Sequence, residues 1–146
     1  MSNVIALASD HGGFELKNML VEKLKKDGFD VLDLGTHTTD SVDYPDIAAL
    51  MADAIKTGKA ERGILLCGTG IGISIAANRF PFIRAALVHD AFGARLCRQH
   101  NNANVLVMGG RNTGVEVAFE CVDIFLNTEF LGGRHERRVE KLSHMC

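Results

Sequence analysis

Apolar residues in this chain gather into five short runs, Val4-Ile-Ala-Leu-Ala8, Asp30-Val-Leu-Asp-Leu34, Ile64-Leu-Leu66, Ala85-Ala-Leu-Val88 and Val105-Leu-Val-Met-Gly109. They are too short and too continuously apolar for surface helices, and suit strands buried on both faces. Longer stretches between them repeat at helical spacing. Phe14 to Asp27 puts Leu16, Leu20 and Leu24 on one face and an i, i+4 pair, Glu22 and Lys26, on the other. Gly28 then stops it as a C-cap. Gly35 to Pro45 is a polar loop, and Asp46 is placed to cap a helix reaching about Thr57, ended by Gly58. Further helices are predicted over Ile71–Asn78, Ala91–Gln99 and Gly114–Asn127, the last with Val115, Ala118, Phe119, Val122 and Phe125/Leu126 turned inward. Phe80 to Arg84 connects, Asn101 to Asn104 breaks the pattern, and a more polar helix follows Gly132-Gly133 over Arg134–Met145.

Strands that alternate with helices imply an α/β fold: a three-layer, doubly wound, five-stranded parallel sheet with right-handed crossovers. The expected strand order is the Rossmann/flavodoxin-like 2-1-3-4-5. In such sheets ligands bind beyond the carboxyl ends of the strands, at the switch point between strands one and three. The turns leaving those two strands hold Asp10-His11 and Cys67 to Gly72, so the two should meet in space. At 146 residues, with no repeat or linker, the chain reads as one domain over 1–146.

Composition narrows the function. The sequence is 47% hydrophobic, but no apolar run reaches the ~18 residues a membrane helix needs. No basic segment with a long apolar stretch opens the chain, so no signal peptide is expected. A net charge of −2 with no basic block argues against nucleic acid and membrane surfaces as partners. The four cysteines, Cys67, Cys97, Cys121 and Cys146, show no CxxC pairing. That points to reduced thiols and a cytoplasmic location rather than a disulfide framework or zinc site.

The stretch with the most chemistry is Cys67-Gly-Thr-Gly-Ile-Gly72. It sets a thiol and free backbone N–H groups at a helix start, a natural anion site. Rossmann spacing would need a glycine at Ile73, and the turn follows the third strand, so a nicotinamide site is disfavoured. No Lys-Ser/Thr pair makes it a P-loop. A cysteine phosphatase would need its phosphate-binding arginine at Ile73 as well. A buried core thiol is the bland alternative for Cys67. Its place before the turn instead favours a lowered pKa and work as a general base. Cys97 and Cys121 are assigned to packing, and Cys146 to the terminus. In isolation Asp10 and His11 read equally as a helix cap and a surface histidine, and His100 as a partner of a helix C-terminus. Arg134 and Arg138, at i, i+4, share one helix face. They suit either a doubly charged phosphate or plain solvated charge. No histidine spacing indicates a metal.

Together these segments resemble a family. Ser9-Asp-His-Gly-Gly13, Asp43-Tyr-Pro45, Cys67 through Asn78, Arg98-Gln-His-Asn101 and Gly132-Gly-Arg-His135 are similar to blocks of the B-type ribose-5-phosphate isomerases, which are grouped with the galactose-6-phosphate isomerase subunits. The resemblance spans nearly the whole chain. It implies aldose–ketose isomerisation of a sugar phosphate with neither metal nor organic cofactor. It also implies a homodimer, or paired dimers as a homotetramer, with interface active sites and the C-terminal helix used in dimerisation. By resemblance, Cys67 moves a proton between C1 and C2, Thr69 assists at the substrate oxygens, and Gly68, Thr69, Gly70, Ile71 and Gly72 hold the enediolate. His100, with Asp10, opens the furanose ring. Asp10, His11 and Asn101 contact substrate, and Arg111, Arg134 and Arg138 hold the phosphate. His100, Asn101 and the arginines are expected from the neighbouring subunit. Members that lack the cysteine carry a glutamate where this chain has Ile73. Cys67 and His100 in one chain favour ribose 5-phosphate over galactose 6-phosphate, with allose 6-phosphate as a six-carbon alternative. A non-catalytic sugar-phosphate-binding regulator is the reading from another class, and the pairing of base with ring-opening group weighs against it.

Overall fold

A computed structural model of the chain describes residues 3–145. Cys146, assigned above to the terminus, lies outside them. Five strands, β1 Val4–Ser9, β2 Asp30–Asp33, β3 Arg62–Cys67, β4 Ala85–Leu87 and β5 Val105–Gly109, all pair in parallel. The helices among the described residues are α1 Phe14–Lys26, α2 Tyr44–Lys56, α3 Ile71–Ala77, α4 Ala91–Gln99, α5 Val115–Asn127 and α6 Arg134–Leu142. A 3-10 turn, His11–Gly13, leads into α1.

Alternation along the strands divides the core into two layers. Ile5, Leu7, Ile64, Leu66, Leu106 and Met108 face α1, α4 and α5, while Ala6, Ala8, Leu65, Cys67, Val105 and Val107 face α2 and α3. Each fully buried Leu or Ile is worth roughly 1.5–3 kcal/mol over leaving it exposed, so these layers rather than helix propensity hold the helices down.

The doubly wound parallel sheet is the one the pattern predicts, but the last two strands are exchanged: the order is 2-1-3-5-4. The reason is burial. All five residues of β5 are buried, whereas the three of β4 are only half-buried. The longer apolar strand takes the inner position and the short one serves as the edge. The switch point between β1 and β3 is unaffected. Three local expectations also change. Helix α2 starts at Tyr44, with Asp43 rather than Asp46 at the cap position and no side-chain cap bond. Pro45 presets the first turn there. Val115 turns out to solvent, because Ala118, Cys121, Val122 and Phe125 form the buried stripe of α5. The last helix stops at Leu142.

One ion pair fixes the end of β2. Lys17 on α1 is fully buried, and its Nζ donates to Asp33 Oδ1 at 2.7 Å. The same oxygen accepts from Gly35 N at 3.0 Å, and Gly35 O takes the Ser9 amide at 2.8 Å. This chain of bonds ties the carboxyl end of β2 to that of β1. Burial alone would raise the Asp33 pKa, but the Lys17 and Gly35 hydrogen bonds outweigh it and hold the carboxyl below its usual value.

Removing Asp33 strands a buried ammonium, whereas removing Lys17 leaves a carboxylate that water reaches. Asp33→Ala should therefore lose roughly 3 kcal/mol in urea unfolding at fixed protein concentration, and Lys17→Met less than half as much. Because the carboxyl pKa is depressed, its contribution is complete above the ordinary carboxylate range and is lost as pH falls. The stability gap between wild type and Asp33→Asn should narrow as pH falls from about 5 to 3. A gap that widens on acidification would contradict this.

Candidate functional site

At the carboxyl edge of the sheet the turns leaving β1 and β3 pack directly together. A Cβ on Gly12 would lie 2.9 Å from Gly68 N, so only glycine lets the backbones approach this closely. Asp10, 7% exposed, uses Oδ1 to accept the Gly12 amide at 2.9 Å. Its carboxylate thus shapes the 3-10 turn. Half-buried His11 accepts the Val42 amide on Nδ1 at 3.3 Å, so in the neutral ring Nε2 carries the proton.

Cys67 ends β3 and is 5% exposed. Gly70 N donates to its Sγ at 3.1 Å, turning the sulfur toward the glycine loop. Gly70 adopts φ +79 and starts α3, a conformation that favours glycine. The Ile71 amide goes to Thr69 Oγ1 at 3.3 Å. The amides of Gly68, Thr69 and Gly72 have no acceptor among the described residues, so the turn keeps donors available to an anion. Ile73, by contrast, is fully buried in the core. Arg111 N binds Gly68 O at 2.9 Å, and its guanidinium lies over Gly68. The Tyr44 ring lies against Gly72 and closes the far side of the loop.

His100 and Asn101 are elsewhere. Because β4 and β5 are parallel, α4 must carry the chain back to the amino edge. His100 caps that helix at its carboxyl end, and Asn104 just beyond it bonds Gly63 and Arg84, at the starts of β3 and β4. The strand length between Val105 and Gly109, ~13 Å, separates this edge from the Cys67 edge. Here the His100 ring stacks on His135 of α6, with centroids 4.2 Å apart and planes 13° from parallel. With Asn101, Arg138, Val139 and Leu142 they line a cavity of about 260 Å³. Burial first, then the charges of His100, Arg134 and Arg138, keep the His135 pKa below the usual imidazole value.

The residues singled out from sequence therefore form two groups at opposite ends of the chain's own sheet. Asp10, His11, Cys67, Gly68, Thr69, Gly70, Ile71 and Gly72 make one. His100, Asn101 and Arg138 make the other, with Arg134 on the same helix. Arg111, expected with the other arginines, instead joins the Cys67 group through its bond to Gly68. Sequence reading passed over His135. The signal was present, since His135, Arg138, Val139 and Leu142 fall at i, i+3, i+4 and i+7 and form the face of α6 that meets His100. Among the described residues no group of three or more His, Cys, Asp or Glu is placed to hold a metal ion, and no helix is long and apolar enough to cross a membrane.

The profile of the Ribose/Galactose Isomerase family matches residues 5–142. Ribose-5-phosphate isomerase B of Escherichia coli (strain K12) is 46% identical over 139 residues, 95% of this chain and 93% of that protein. A ribose 5-phosphate isomerase of Thermotoga maritima superposes with a TM-score of 0.95 at 54% identity, covering 97% of this chain and 98% of the other. Ribose-5-phosphate isomerase B of Mycoplasma genitalium, solved with bound ribulose-5-phosphate, gives a TM-score of 0.92 at 45% identity, covering 97% and 94%.

The other two described thiols have no place in either group. Burial pushes Cys97 and Cys121 up to about 11, and Cys97 Sγ donates to Ala94 O at 3.2 Å. At pH 8 only roughly 0.1% of each is thiolate. Iodoacetamide labelling followed by peptide mass mapping should find both unmodified in the native protein and both modified after unfolding in urea. Native labelling of either would show that its helix opens.

Proposed function

This chain belongs to the ribose/galactose isomerase family, and on that premise we propose that it interconverts ribose 5-phosphate and ribulose 5-phosphate at sites built jointly by two copies. The observation that carries the chemistry is the Cys67 turn: a sulfur held by the Gly70 amide at the start of a loop whose Gly68, Thr69 and Gly72 amides have no acceptor among the described residues. Isomerisation removes a proton next to a carbonyl and leaves negative charge on oxygen. Preorganised N–H donors aimed at that charge are typically worth ~3–4 kcal/mol each.

The reaction then runs in balanced steps. His100, with Asp10, moves a proton from the O1 hydroxyl to the ring oxygen, which opens the furanose to the aldehyde. The Cys67 thiolate removes the C2 proton. The C1 oxygen takes up the charge as an enediolate, held by the unpaired amides of the Gly68–Gly72 turn, those of Gly68, Thr69 and Gly72, with the Thr69 hydroxyl assisting. The O2 proton passes to O1, and return of the carbon proton from Cys67 to C1 gives the ketose and restores the thiolate. A positioned acid or base contributes roughly 10²–10⁴-fold. Asp10, His11 and Asn101 contact the sugar. Arg134 and Arg138 clamp the phosphate at the unreactive end, so that its binding energy orients C1 and C2. Arg111 reaches the same substrate from the Cys67 side.

The separation of the two groups supports assembly. Cys67 and His100 cannot meet across the sheet of one chain, so a complete site requires the amino edge of a second copy. Exposed apolar side chains suit such a contact: Ile71 and Ile75 on α3 are 54% and 63% exposed, and Leu142 on α6 is 47% exposed. The reading is therefore a homodimer, or two dimers paired as a homotetramer. Its three described free thiols suit the reducing cytoplasm.

A coupled assay should detect ribulose 5-phosphate formation from ribose 5-phosphate. A protein that binds the sugar phosphate without turnover would instead be a regulator. Cys67→Ala should lower kcat by at least roughly 10²-fold and abolish solvent hydrogen exchange at C2 while binding persists. His100→Ala should slow furanose substrate more than an open-chain analogue, and equal losses would remove it from ring opening.

A further inference from the structure

The amino-edge group stands on a turn and on a loop, and one buried side chain joins the two. Arg98, on the last turn of α4, is 6% exposed. Its Nη1 donates to Asn102 Oδ1 at 2.8 Å and to Ala103 O at 2.7 Å. Its Nε donates to Thr128 O at 3.1 Å, and its guanidinium lies 5.8 Å from the centre of the Phe125 ring. Two of these acceptors sit in the turn that carries His100 and Asn101. The third lies just beyond α5, in the segment that leads to α6 and its His135, Arg134 and Arg138. Leu131 N adds a backbone bond to Gln99 O at 3.1 Å between the same two segments. Asn102, at φ +47, holds a left-handed conformation that non-glycine residues rarely adopt. Its side chain is anchored by Arg98.

We infer that Arg98 is a positioning residue for the amino-edge half of the active site, fixing His100 and Asn101 relative to the phosphate-binding face of α6. This rests on the composite-site reading given above. Arg98 touches neither substrate nor reacting atoms. It acts through three carbonyl-type acceptors whose spacing a planar fork matches and a lysine ammonium does not. Misplacement of reacting groups by about 1 Å costs up to 10²-fold, so Arg98→Lys should lower kcat roughly 10- to 100-fold with a smaller change in KM.

Mixed assemblies separate positioning from a general loss of structure. Chains carrying two tags are co-expressed and the doubly tagged species is compared with both parents. A composite site takes Cys67 from one chain and His100 from the other, so the doubly tagged dimer of Cys67→Ala with His100→Ala should regain about half of wild-type activity, and the unselected random mixture about a quarter. If that control regains none, the composite-site reading fails and this inference falls with it. With the control in place, Arg98→Lys should complement Cys67→Ala, because their defects lie on different edges. It should not complement His100→Ala, because those defects share an edge. Failure of the first mixture, or recovery in the second, would overturn the inference while leaving the composite site standing. Should Arg98→Lys not fold, Asn102→Gly removes one acceptor, keeps a permitted backbone, and decides the same question in the same mixtures.

Discussion

All five strands run in one direction, and the rest of the molecule follows from that constraint. A parallel sheet needs a helix or loop to return the chain to the starting edge after each strand. Whatever ends a strand therefore lies on one side, and whatever ends a returning helix lies on the other. Cys67 ends β3 and His100 ends α4. Their separation is a consequence of topology, which no side-chain rearrangement within one chain can undo. The same constraint gathers the glycine-rich turns that follow β1 and β3 at the carboxyl edge, where these neighbouring strands deliver Asp10 and Cys67 side by side.

The two edges are built differently. At the carboxyl edge, the contact is backbone against backbone. Gly12 lies on Gly68, and Arg111 N and Gly110 N bond back to Gly68 O and Cys67 O at 2.9 and 2.8 Å. Strand pairing on both sides leaves little freedom, which suits donors that must already point at a developing charge. At the amino edge, the functional side chains sit on a helix end, an asparagine-rich turn and a peripheral helix. These depend on side-chain bonds. Arg98 supplies three of them and Arg84 another, through Asn102 O at 2.8 Å.

Much of this could be read from the chain because local signals and tertiary structure agree in it. Short apolar runs mark the strands, and the glycine spacing, with the missing Lys-Ser/Thr pair and the missing arginine at Ile73, excludes the common phosphate and nucleotide loops. The order of β4 and β5 was misjudged because both are short apolar runs, and the deciding difference, full burial of β5 against half-burial of β4, is a tertiary property. Asp46 has the residue type of a cap, but so does Asp43, and the helix starts at Tyr44 with Pro45 in its first turn. His135 was overlooked for a different reason. Its partner, His100, is far away in sequence, and a histidine beside two arginines looks like solvated charge until the stack is seen. Arg98 likewise reads as a surface cation, since its acceptors are carbonyl-type oxygens rather than carboxylates and leave no charge pattern in the sequence.

Charge explains why such a division is useful. On the proposed mechanism the reaction uses a sulfur anion as base and an anionic oxygen in the intermediate, whereas the substrate's phosphate calls for cations. Arginines placed beside Cys67 would pair with the thiolate and weaken it as a base, because opposite charges at short range stabilise the ionised form and reduce its reactivity. Separating Arg134 and Arg138 from Cys67 by the height of the sheet avoids that pairing in the single chain. On the composite-site reading, assembly brings the cations only as near as the length of the sugar phosphate allows. The phosphate then neutralises them. Arg111 is the exception, held over Gly68.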